Sequence, residues 1–173
     1  MSLLPFTSDT IVLVIVAAGT GAAAVIDLKT RRVPNALTMS IAAAGIALAA
    51  AGFGRVGLGA SIAGCVLGAA LMLPGHVLGA TGAGDVKLLA AAGTLLGPGL
   101  TVKAFAATAI AGGVIAIIVA VRRGRLKRTL NATTRLATRQ ASATEIEHPT
   151  ANNRFAYAPA IAIGVMVAAL FTN

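Results

Sequence analysis

Cysteine is nearly missing from this 173-residue chain: Cys65 stands alone, which excludes an internal disulfide and any cysteine-rich zinc module. It lies in an apolar run between small residues, where packing is its expected role. Charge is scarce as well, at 11% of residues, against about 25% in an average soluble domain. Acidic side chains are the scarcest charged class, five in all. Asp9 falls in the N-terminal tail and Glu145 and Glu147 in a polar stretch, so Asp27 and Asp85 are left alone inside long apolar sequence. The opening MSLLPFTSDT has no basic segment; no cleaved signal peptide is therefore expected, and the first apolar run is read as a retained helix.

What the chain does have is apolar length. It is 57% hydrophobic with 20 glycines and a mean hydropathy of +0.89. Runs of near 20 apolar residues are long enough to cross a hydrocarbon core of about 30 Å as helices. The expected fold is an all-α polytopic membrane protein, a single domain over 1–173. Six spans are read, over about 9–26, 36–53, 58–78, 86–98, 100–121 and 155–171, with Gly97-Pro98-Gly99 as a tight turn between the fourth and fifth. The fourth is short enough to be a partial or tilted span.

The distribution of bases tests this layout. With the N-terminus outside, Lys29, Arg31, Arg32, Lys87 and eight lysines and arginines between Arg122 and Arg154 fall inside, and only Arg55 and Lys103 fall outside. Such an excess of inner bases is what membrane topology demands, and it puts Asp27 and Asp85 on the same, cytoplasmic face. The net charge of +9 is thereby explained by topology rather than by nucleic acid, since the bases flank apolar runs without interleaved aromatics. The basic stretch at about 122–154 reads either as an interfacial helix, with Leu126, Leu130 and Leu136 as a weak apolar stripe, or as a solvated loop. Anionic lipid head groups are its candidate partner. The small-xxx-small pairs Gly64–Gly68, Gly75–Gly79 and Gly93–Gly97 predict close helix packing.

An ionisable group at membrane depth costs roughly 2.5–3.5 kcal/mol on insertion scales, so two of them point to a paired-carboxylate site. Asp85 follows Gly82-Ala83-Gly84 and precedes a helical run. A carboxylate there is favoured by the helix dipole, and the glycines permit unusual backbone angles and close approach of another segment. Asp27 ends the first span and is followed by a basic loop closed by Val33-Pro34-Asn35, with Pro34 suited to start the second helix. Two carboxylates in one site titrate as a unit, one keeping a proton while the other stays charged. That state suits peptide hydrolysis by an activated water, with neither metal nor cofactor. Taken singly, each residue has a plainer reading. Asp27 is placed to pair with Lys29 or Arg31, Asp85 to cap a helix, Lys87 to be a membrane-edge lysine, and His76 to be a satisfied interfacial histidine rather than a ligand.

Together the two segments resemble the type IV prepilin peptidases, a family of membrane aspartic proteases. Asp27-Leu-Lys-Thr-Arg-Arg-Val-Pro34-Asn35 is similar to the family's first motif, and Gly82-Ala-Gly84-Asp85-Val-Lys87-Leu-Leu to its second. The segment Phe155-Ala-Tyr-Ala-Pro159-Ala-Ile-Ala-Ile-Gly164 resembles its final helix. The resemblance implies removal of a short basic leader from prepilins or pseudopilins at the cytoplasmic membrane boundary, typically after a glycine. Asp27 and Asp85 would be the catalytic pair, Gly82 and Gly84 would shape the loop, and Lys87, Pro34 and Asn35 would be structural. Many members also carry an N-terminal cytoplasmic domain with paired Cys-x-x-Cys motifs and N-methylate the product. Only eight residues precede the first span here, so the short form of Flp or tight-adherence pilus systems is expected, without methyl transfer. Two rivals remain open: a small proton- or ion-coupled transporter with the aspartates as relays, and a catalytically silent assembly factor.

Overall fold

The computed structural model describes residues 8–122 and 157–170. Five helices account for nearly all of them: α1 Ser8–Thr30, α2 Asn35–Ala50, α3 Leu58–Val77, α4 Ala83–Arg122 and α5 Ala158–Leu170. Beyond Arg122, the basic stretch expected at 122–154 lies outside the described residues. Three helices, over Thr10–Thr30, Leu58–Val77 and Ala83–Val119, are long and apolar enough to cross a membrane, and α2 and α5 are shorter apolar helices. Apolar side chains such as Val14, Met39, Val66 and Ile110 stand exposed around the outside, as a lipid-facing surface requires. The chain is an all-α polytopic membrane protein.

The six stretches expected from hydropathy fall on five helices, because the fourth and fifth are two arms of α4. Gly97, at φ 73 and ψ 174, breaks the helix with a backbone conformation that is open to glycine and strained for other residues. Pro98 follows it and has no N–H to return to the preceding turn. The result is an N-terminal arm, 83–96, and a C-terminal arm, 98–122. The boundaries differ from expectation in one place that matters. α1 does not end at Asp27 but runs on to Thr30, closed by Arg31 N–H donating to the Asp27 carbonyl at 2.7 Å, with Arg31 itself at φ 53.

The N-terminal arm of α4 is the post of the molecule. Leu88, Leu89, Ala91, Ala92, Leu95 and Leu96 along it are all buried. α3 runs antiparallel to this arm at backbone contact: a methyl added at Gly68 would lie 2.7 Å from the Leu89 carbonyl oxygen, and one at Gly64 would strike the Gly93 carbonyl. α2 meets the same arm at Thr94 and Leu95 through Gly45. The C-terminal arm pairs instead with α5, whose Gly164 sits against Thr108 and Ala104. Between apolar helices in lipid there is no hydrophobic gain to separate core from surroundings, so close backbone approach through small residues does the holding. Of the three glycine pairs, Gly64–Gly68 and Gly93–Gly97 lie at such contacts. Gly79 has nothing near it; its φ of 72 instead closes α3, with Ala80 N–H reaching the Gly75 carbonyl at 2.8 Å and Gly79 N–H the His76 carbonyl at 3.0 Å.

Candidate active site

The end of α1 and the start of α4 bring the two aspartates into one place. Asp27 is 5% exposed and Asp85 6% exposed, and the two carboxylates lie close enough for their charges to interact. Each has one oxygen committed to the start of a helix. Asp85 is the third residue of α4, and its Oδ2 accepts from the Gly82 N–H at 2.8 Å. This is the reach-back half of a capping box, made by a shorter acid. Asp27 reaches a different helix: its Oδ2 accepts from the Ala158 N–H at 3.2 Å, the first residue of α5. An unsatisfied amide at a helix start is a natural partner for a carboxylate, so each acid has one oxygen oriented by backbone.

The segment that follows α1 and the start of α4 are stitched together twice. Lys87 Nζ donates to Asn35 Oδ1 at 2.9 Å, joining the first turn of α2 to that of α4. Gly84 lies under Val33, whose Cβ would be 3.0 Å from a methyl added there. Pro34, at φ −64 and ψ 135, caps α2 from just outside it, so the expected start of that helix is shifted by one residue. The two glycines before Asp85 were expected to serve by backbone angle as well as by space. Neither has a positive φ, unlike Gly52, Gly79 and Gly97. Their use is room: Gly84 for Val33, and Gly82 for the Asp85 carboxylate, 3.3 Å from where its Cβ would stand.

His76, in the last turn of α3, places Nδ1 3.1 Å from the Thr81 carbonyl and lies within electrostatic reach of Asp85. It bridges the loop that leads to Gly82, which agrees with a satisfied histidine. Among the described residues no group of three or more His, Cys, Asp or Glu side chains could hold a metal ion. The start of α5 escaped the residue-by-residue reading, since an alanine amide carries no chemical signature in sequence. The one available sign was the likeness of 155–164 to a family's final helix.

A geometry of two buried, charge-coupled carboxylates at one end of a helical bundle can activate water, relay protons or bind a cation. Comparison with known proteins narrows that range. A family model described as the type IV leader peptidase family matches residues 13–117. That stretch holds both aspartates and stops short of α5. No curated protein matches the chain, and no solved structure does.

Proposed function

The chain belongs to the type IV leader peptidase family, and from that premise we propose that it cleaves the basic leader from Flp-type prepilins or pseudopilins with Asp27 and Asp85 as its catalytic dyad. Membership makes it a membrane peptidase; the substrate and the dyad are our reading. The observation that carries it is the meeting of two acids, 58 positions apart in sequence by their numbering, in a shared and largely dry site. With one oxygen held by the Ala158 and Gly82 amides, each carboxylate keeps a second oxygen for water and substrate in this reading.

The chemistry follows from a shared proton. The ionised member takes a proton from the bound water as its oxygen attacks the scissile carbonyl carbon. The neutral member hydrogen-bonds the carbonyl oxygen and gives it its proton as the carbon turns tetrahedral, leaving a neutral diol. On collapse one aspartate gives its proton to the leaving amine as the C–N bond breaks, and a hydroxyl of the diol returns a proton to the other aspartate as the carbonyl re-forms, so the dyad regains its starting charge. The bases Lys29, Arg31, Arg32, Lys87 and Arg122 gather at the site's end of the bundle, which supports a cytoplasmic orientation in the bacterial inner membrane. Leader removal without N-methylation is the expected activity.

Co-expression with a Flp-type prepilin tests the assignment. Asp27→Asn and Asp85→Asn should each leave the leader uncut in cells where the wild-type protein removes it. Normal processing by either variant would sink the dyad.

A further inference from the structure

Tyr157, the chain's single tyrosine, stands directly before the amide that holds Asp27. Its ring packs against Gly112 in the C-terminal arm of α4, where an added methyl would come within 2.7 Å of the hydroxyl oxygen. The side chain is half-buried, and its hydroxyl is within the electrostatic reach of Asp85. Among the described residues nothing hydrogen-bonds that hydroxyl. A phenol in such surroundings ordinarily finds a partner, because its body favours burial while its O–H must be satisfied. The break at Gly97 is what makes this convergence possible. It sends the C-terminal arm back, so that Gly112, the start of α5 and the aspartates share one end of the bundle.

We propose that Tyr157 is a further catalytic residue, whose hydroxyl donates a hydrogen bond to the scissile carbonyl oxygen as the carbonyl carbon becomes tetrahedral. This rests on the peptidase reading above. The tyrosine is already fixed by Gly112 on one side and by the Ala158–Asp27 bond on the other, so the donor is pre-placed and needs no reorganisation during the reaction. A contact formed mainly with the oxygen of the tetrahedral intermediate lowers the barrier without tightening substrate binding. Gly112 is then kept small to seat the ring at the depth of the dyad.

The test is steady-state cleavage of a synthetic Flp-type prepilin by the full chain, purified in detergent, comparing Tyr157→Phe, Tyr157→Leu and Asp27→Asn with the wild type. Tyr157→Phe keeps the ring and loses only the hydroxyl. It should lower kcat by about 10²-fold, the usual effect of removing one such donor, with KM and melting temperature unchanged. A fall in kcat of less than about threefold overturns the proposal. So does a fall that comes with an equal drop in melting temperature in the Phe and Leu variants, which would make Tyr157 a packing residue. Asp27→Asn separates the two levels: if it remains active the peptidase site itself is misassigned, whereas an inactive Asp27→Asn beside a fully active Tyr157→Phe refutes the tyrosine alone.

Discussion

Gly68→Ala is the sharpest test of how the bundle positions its site. A methyl there would stand 2.7 Å from the Leu89 carbonyl oxygen and 3.0 Å from Ala90 Cα, both in the N-terminal arm of α4. Ordinary contact begins at 3.4 Å, so α3 and this arm must part by about 0.7 Å. Backbone cannot swing aside as a long side chain can, and the separation is therefore transmitted along the arm. A gap of that size forfeits roughly a quarter to a half of the dispersion energy of the atoms it separates, and overpacking of this kind typically costs about 1–3 kcal/mol. The arm carries Asp85 in its first turn, and a misplacement of about 1 Å can lower an enzyme's rate on the order of 10²-fold. Gly59→Ala is the control. It lies on the same helix with nothing within 4 Å, and alanine is the better helix former by about 1 kcal/mol. Thermal unfolding in detergent should show Gly68→Ala well below the wild type and Gly59→Ala level with it or above. Leader cleavage should fall at least tenfold for Gly68→Ala alone. Equal melting temperatures for the two variants would refute the claim that backbone contact between α3 and α4 sets the site.

Other perturbations act at other joints. Gly164→Ala puts a methyl 2.5 Å from Thr108 N and 2.6 Å from the Ala104 carbonyl oxygen, so α5 must leave the C-terminal arm; a larger loss of melting temperature than for Gly68→Ala is expected, with cleavage abolished. Asn35→Ala and Lys87→Met remove the two ends of one hydrogen bond, so the double variant should cost no more in cleavage rate than either single one. Asn35→Asp, which replaces the bond by an ion pair, should keep near-normal activity. Additive losses in the cycle would show that the two side chains act independently.

The legible parts of the fold and site were those where residue type alone announces the physics. Buried acids are expensive, so Asp27 and Asp85 stood out among apolar neighbours, and a Gly-Pro-Gly run can hardly continue a helix, so the break at Gly97 was visible. The illegible parts depend on partners distant in sequence. Nothing in Asn35 announces Lys87, 52 positions on, and nothing in Asp27 announces the Ala158 amide, 131 positions on. Asp85 does cap its helix start, and because capping occupies one oxygen of two, this leaves the proposed role as half of a carboxylate pair open to it. Gly82 and Gly84 were half legible. Glycine marks either a special backbone angle or a need for space, and only the position of Val33 shows that space is the reason at Gly84.

The two acids are held unequally, and this has a structural consequence. Asp85 takes its amide from Gly82, within its own helix start, so its orientation survives as long as the first turn of α4 does. Asp27 takes its amide from α5, and therefore depends on every contact that keeps α5 in place: Gly164 against Thr108, Tyr157 over Gly112, and Arg55 Nη1 donating to the Ala169 carbonyl at 3.3 Å from the far end of the bundle. Damage to α5 thus reaches Asp27 first, and leaves Asp85 and the Asn35–Lys87 bond in position. The proposed shared proton needs both carboxylates in register, so a site whose second member is set by a separate helix would be disarmed without unfolding either motif segment. The helix beyond the family's matched stretch is, on this geometry, as necessary to the pair as the two motifs that display it.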